Sequence, residues 1–191
     1  MASEATGIMP EIEARTIQYA GAWGANHARR LIMLVERIAA GGAYEEAVLR
    51  IAAYMHDWGG YEPWKKAGVD HAVRSAEVIP GVLTELGMPG ESAALAAECA
   101  RLHHSCDAKA AFEAILLHDA DAIDFLGITG LLRNCSMKSR DLRGAFEKTK
   151  ARMDYARARL ILDGSRTIAE PLFPRMERVL EEFERETGGL F

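Results

Sequence analysis

Cysteine is scarce in this chain. Its three residues, Cys99, Cys106 and Cys135, are odd in number and form no CxxC pair. That argues against a disulfide framework or a thiolate zinc knot and suits reduced thiols in a cytoplasmic setting. Long apolar runs are missing as well, since no stretch approaches the roughly 18–20 residues that a membrane span needs. The opening MASEATGIMPEIEAR carries Glu4, Glu11 and Glu13 but neither a basic region nor a continuous apolar stretch, so no signal peptide is expected. An excess of positive charge is also lacking. The formal net charge of -5 speaks against a nonspecific nucleic-acid binder, although it leaves room for a local cationic pocket. Strand signals are few, and no internal repeat, low-complexity tract or interdomain linker interrupts the chain. What remains has the 49% hydrophobic and 27% charged content of ordinary globular proteins. Its 191 residues suffice for one domain with a helical extension.

Apolar residues recur at three- and four-residue steps almost throughout, which predicts an all-α fold. A first helix is expected over Pro10–Ala22, with proline in its first turn. A second, Asn26–Ala40, would be capped by Asn26 and stopped by Gly41 and Gly42. A third, Tyr44–Trp58, would end at Gly59 and Gly60. After the loop GGYEPWKKAGV, Asp70 is a plausible N-cap for a fourth helix, which Pro80 and Gly81 should kink or divide. Helices over Gly90–Ser105 and Lys109–Phe125 follow, then a short segment at Leu131–Met137. Two long charged helices, near Ser139–Leu162 and Ser165–Thr187, are separated by Asp163 and Gly164. This reads as a single-domain helical bundle with a core near 24–135 and C-terminal helices near 139–187.

Set on these helices, the metal-binding residue types fall on inward faces or near helix ends. Residues three and four apart share a face, so His27 lies on the apolar line Leu31, Leu34, Ile38. His56 continues Leu49, Ala52, Ala53, and Asp57 follows where that helix stops. His71 follows the Asp70 cap, and His104 extends the small-residue face Ala93, Ala97, Ala100. The helix carrying Phe112, Ile115, Leu116, Leu117, Ile123 and Phe125 is apolar on several sides and should be central. It nonetheless carries His118, Asp119, Asp121 and Asp124, and four polar residues at such a place are costly unless partnered. Imidazole and carboxylate donors without thiolate suit Mn, Mg, Fe, Co, Ni or Zn in a catalytic site better than a structural zinc.

The stretches NHARRL at 26–31, AAYMHDWGG at 52–60, DHAVRSAEVI at 70–79 and LLHDADAIDFLG at 116–127 resemble the HD-domain metal-dependent phosphohydrolase superfamily, most nearly its small stand-alone bacterial members. The likeness runs from about Ala25 to Arg133 and continues more weakly through RTIAEPLFPRMERVLEEF. It implies an HD-type helical bundle with a C-terminal helical extension. His27, His56, Asp57 and Asp121 would hold one divalent ion, and His71 and His104 would supply donors for a second, with Asp57 bridging. One ion is favoured and two remain open. Within ADAID at 120–124 the likeness selects Asp121, which leaves Asp119 and Asp124 to orient ligands. His104 matches the single histidine of the pattern, and relatives with paired histidines would use His103. The implied reaction is hydrolysis of a small phosphorylated compound, most readily a nucleotide, by metal-activated water. Glu62 is the nearest acid for proton transfer, Arg133 in GLLR a phosphate contact and Lys65, beside Lys66, a further cation. Tyr61 and Trp64 would stack on a substrate ring or cover the site. A di-iron oxygenase on the same six positions and a non-catalytic metal-containing binding module are the alternatives. Neither nucleic acid nor membrane is an expected partner. The oligomeric state is unread, because the apolar C-terminal helix around Val179, Leu180 and Phe183 could pack inward or form a homodimer.

Overall fold

A computed structural model describes residues 2–88 and 90–191, with side chains from Gly7 onward. The fold is all-α, and no strand occurs among the described residues. Nor is any described helix long and apolar enough to cross a membrane. The chain divides into two compact units, one running to His118 and the other from Asp119 to Phe191.

The first unit opens with α1, Ala2–Ala39, in place of two separate helices. The break falls at Gly21, whose φ of 63° and ψ of -167° are not helical. Glycine takes this conformation without steric cost, and the helix resumes at once. Asn26 therefore lies within a helix and does not cap one; its Oδ1 accepts from Arg29 Nη1 at 2.7 Å. Helix α2, Glu46–Met55, buries Val48, Leu49, Ile51, Ala52, Ala53, Tyr54 and Met55. Burial on nearly every side makes it central to this unit. Packing against α1 and against α4, Glu91–Leu102, accounts for that burial.

A short 3-10 turn, Trp58–Gly60, follows α2 and rests on α3, His71–Glu85. Trp58 is 1% exposed, and its indole Nε1 donates to Thr16 Oγ1 at 3.0 Å. Helix α3 is one continuous helix although Pro80 lies inside it, so the division expected at Pro80 and Gly81 does not occur. The lost proline N–H forfeits one helical hydrogen bond, while Val78, Ile79, Val82 and Leu83 all gain burial around it.

Helix α5, Phe112–Asp124, is buried at every residue from Ala114 to Asp124, as its all-round apolar pattern predicts. It runs from the first unit into the second. The second unit adds α6, Gly127–Met137, α7, Leu142–Arg159, α8, Asp163–Ala169, and α9, Phe173–Thr187. The break between the last long helices falls at Leu160–Leu162, so Asp163 begins α8 and does not separate two helices. A 3-10 turn, Glu170–Leu172, then divides what the sequence suggested as one helix, because Pro171 and Pro174 lack the N–H that would continue it. Leu180 of α9 is buried, and Phe183 packs on Phe146 and Phe191 at ring distances of 6.2 and 4.7 Å. These parts of the C-terminal helix therefore pack inward, within their own unit.

Candidate metal centre

Four helices of the first unit bring five histidines and one aspartate together. His27 projects from the second half of α1. His56 and Asp57 stand at the C-terminal end of α2, His71 opens α3, and His103 and His104 follow α4. Donor atoms of His27, His56 and Asp57 lie within 4.8 Å of one another, and so do those of His71, His103 and His104. The two groups meet at Asp57. Its Oδ2 is 3.4 Å from His56 Nε2, and its Oδ1 is 3.3 Å from His71 Nε2 and 3.7 Å from His103 Nε2. Ring centroids are 5.2 Å apart for His27 and His56, 4.8 Å for His56 and His103, and 5.3 Å for His71 and His103.

The tautomers follow from local backbone geometry. His56 Nδ1 lies 2.9 Å from the Ala53 carbonyl oxygen, and His103 Nδ1 lies 2.6 Å from that of Ala100. A carbonyl can only accept, so in each ring the proton sits on Nδ1 and donates outward. Nε2 is left with its lone pair directed towards Asp57. This arrangement fixes ring orientation and raises the basicity of the inward nitrogen, as in metal-ligating histidines. Two neutral imidazole lone pairs and a carboxylate facing one another are mutually repulsive unless a cation lies among them. The donor set therefore fits a divalent metal. Without one, protons take that place. Crowding by protein works to raise the Asp57 pKa, yet the charge and hydrogen bond of His56, the bond from His71 and the charge of His103 outweigh it. Asp57 is held well below the ordinary carboxylate range. The hydrogen bond to Asp57 is likewise the main reason that the His71 pKa is raised, against the opposing effect of burial.

Gly59 allows this convergence. A β-carbon there would come within 2.4 Å of His71 O and 2.6 Å of Ser75 N, both backbone atoms. Its own N–H donates to Ser75 Oγ at 2.8 Å, pinning the turn after Asp57 to the first turns of α3. Asp70 caps α3, its Oδ1 accepting from Ala72 N at 2.9 Å and Val73 N at 3.3 Å, so the expected N-cap is present and His71 is oriented by it.

Of the two adjacent histidines, His103 is 1% exposed and faces Asp57, whereas His104 is exposed and reaches the group through His71, at a ring distance of 5.0 Å. Glu62, Lys65 and Lys66 are exposed in the loop between the turn and α3. Trp64 stacks on Trp58 with centroids 6.4 Å apart and planes 8° apart, and Tyr19 meets both edge-on. It is thus built into the protein and does not stand out as a platform.

In the second unit Asp121 is buried on α5. Asp124 is ion-paired with Arg133, both side chains being nearly inaccessible, and the Arg133 guanidinium lies 3.9 Å from the Phe125 ring centre. Asp119 accepts from Ile161 N at 3.1 Å and Leu162 N at 2.8 Å, tying the α7–α8 connection to α5. The sequence pattern did not reveal this tether or the Gly59 contact, since both join segments distant in the chain. The two glycines ending the third expected helix were the one available signal for the latter.

No family model matches the chain, and no curated protein sequence matches it. Solved structures do. A predicted HD superfamily hydrolase from an uncultured Thermotogales bacterium aligns with a TM-score of 0.63 at 20% identity, over 93% of this chain and 90% of that one. Bacillus subtilis YpgQ aligns at 0.69 and 18%, over 100% and 98% respectively, and has also been solved in complex with ADP. A Lactobacillus plantarum protein aligns at 0.73 and 14%, over 99% of each chain. The chain shares the all-α fold of these structures, a predicted HD superfamily hydrolase among them, over nearly its whole length.

Proposed function

We propose that this HD-fold chain is a metal-dependent phosphohydrolase acting on a small phosphorylated compound, a nucleotide by preference. The observation that carries the reading is the convergence of the inward Nε2 atoms of His56 and His103 on Asp57, each imidazole fixed from behind by a backbone carbonyl. His27, His56 and Asp57 hold one divalent ion in this reading, and His71, His103 and His104 offer donors for a second. Bound there, a divalent ion supplies a Lewis acid for a phosphoryl oxygen and lowers the pKa of water to near neutrality. Asp57 stays ionised and holds the two donor groups in register. His71, bonded to Asp57 and capped from below by Asp70, is positioned to hold or pass a proton at Nε2. Glu62 and Lys65 serve substrate from the adjoining loop, as proton carrier and phosphate contact. The nucleotide preference draws on the fold likeness to YpgQ, which was solved with ADP.

The test is release of phosphate or pyrophosphate from nucleoside mono-, di- and triphosphates by protein loaded in turn with Mn, Co, Ni and Mg. Metal-dependent release from at least one compound is expected. No release from any compound with any metal overturns the reading. A di-iron oxygenase, the second reading, rests on the second donor group. Iron retained through aerobic purification, with oxygen uptake on adding an organic substrate, would put it first.

A further inference from the structure

We infer that Arg74 is a positioning residue: from the first turn of α3 it holds the loop that carries Glu62 and Lys65 in register with the metal centre. The inference rests on the phosphohydrolase reading for the use of that loop, not for the contact itself. The loop, residues 61–69, starts shortly after Asp57 and ends just before Asp70 and His71, so donor residues stand near both of its ends. Arg74 follows His71 by about one helical turn and shares a face with it. Its Nε donates to the Trp64 carbonyl oxygen at 2.8 Å, and its Nη1 donates to Glu77 Oε2 at 2.8 Å. The second bond comes from the next turn of the same helix and braces the planar guanidinium, while the first crosses to the loop. The side chain is 26% exposed, so the contact is partly sheltered from water.

Holding one carbonyl is enough to hold the reactive part of the loop. The Tyr61 carbonyl oxygen accepts from Trp64 N at 2.9 Å and from Lys65 N at 2.8 Å, which closes residues 61–65 into a turn. Glu62 lies within that turn and Lys65 ends it. Upstream, Tyr61 N donates to the Trp58 carbonyl at 3.0 Å and Gly60 N to that of Asp57 at 2.9 Å, so a chain of turns leads back to the metal centre. The Trp64 ring is seated on Trp58 while its carbonyl is taken by Arg74, which gives the turn two separate holds. A β-carbon at Gly59 would stand 2.7 Å from Arg74 Cβ, so the stem of Arg74 also bounds the 3-10 turn. Glu62 and Lys65 are themselves exposed. Side chains of that kind lose much rotamer freedom when they grip a ligand, and a backbone already fixed leaves less freedom to lose. Arg74 therefore acts on substrate through Lys65 and Glu62.

The experiment joins hydrogen exchange to a double-mutant cycle, both on the full chain. Arg74→Gln should speed amide exchange across residues 61–66 by about tenfold, the scale of one lost hydrogen bond to a charged donor, with metal content unchanged. Arg74→Lys keeps a donor on a similar stem without the fork and should restore part of the protection. Arg50→Gln removes an exposed cation from α2 and should leave exchange in the loop as in wild type. With the nucleotide and metal that turn over fastest, Arg74→Gln and Lys65→Gln should each raise KM by about tenfold, and kcat should fall less. The double variant should be no more than about twofold worse than Arg74→Gln, because the Lys65 contact is already lost there. Losses that multiply to about a hundredfold, or unchanged exchange in Arg74→Gln, overturn the inference while hydrolysis by wild type keeps the phosphohydrolase reading. Should Arg74→Gln fail to fold, Glu77→Gln leaves Arg74 in place without its brace and should raise exchange and KM by a smaller factor; no change in either overturns the inference. If exchange responds as expected while no nucleotide is hydrolysed with any metal, the loop contact stands, and the phosphohydrolase reading falls together with the positioning of substrate.

Discussion

Asp57 has a carboxylate oxygen for each of two donor groups, and every histidine that faces it presents Nε2. His56→Ala and Asp57→Ala should therefore abolish metal binding and metal-dependent hydrolysis while the circular dichroism stays helical, because the core does not depend on these polar atoms. Full turnover with metal retained in either variant would show that the centre is misplaced. His103→Ala should reduce metal affinity more than His104→Ala, since only His103 is both buried and fixed through Nδ1. The family resemblance pointed to His104, with His103 as the alternative. Adjacent residues after a helix differ in direction rather than in composition, so their order in the chain does not reveal which ring turns inward. Asp121→Asn tests the further donor that the resemblance names, with metal content as readout. Arg133 shows the same difficulty from the other side. As a cation in GLLR it reads as a phosphate contact, and in the folded unit it holds the buried carboxylate of Asp124. Arg133→Ala should lower stability by about 3–5 kcal/mol, the scale for stranding one partner of a buried ion pair. Unchanged melting with a raised KM would return Arg133 to the substrate.

Between elements, close approach sets the site's geometry. Gly59→Ala must push the 3-10 turn off α3, since the obstructing atoms are backbone. It should cost about 1–3 kcal/mol by overpacking and weaken metal binding through displacement of His71 from Asp57. Full metal affinity with normal stability would mean that the turn adjusts freely. Asp119→Ala leaves the N–H groups of Ile161 and Leu162 without their acceptor and should cost about 1–3 kcal/mol in chemical denaturation. Periodicity made α2, α4 and α5 legible, because α4 buries a small-residue face while α2 and α5 are apolar on nearly every side; it located α3 but not its continuity through Pro80. It missed the continuity of α1, where a single left-handed glycine breaks the path without ending the helix. It also misplaced the α7–α8 connection, which is fixed by Asp119 from 42 and 43 residues away and not by the neighbouring Asp163 and Gly164.

At the scale of the whole molecule, the order His27, His56–Asp57, His71, His103–His104 joins α1, α2, α3 and α4 of the first unit. The sequence reading of that order drew on the donor types a metal demands, on the helical period and on the family resemblance, with His104 named and His103 kept as its alternative. A metal held among four helices stabilises the folded state that presents them, by about 2.7 kcal/mol at a hundredfold excess over its dissociation constant. The most direct test is elemental analysis of the purified chain after dialysis against Mn, Fe, Co, Ni and Zn, with Asp57→Ala carried alongside. At least one tightly held divalent ion per wild-type chain is predicted, with none retained by the variant. A wild-type chain that holds no ion, or a variant that holds as many, would contradict the metal centre and the function built on it.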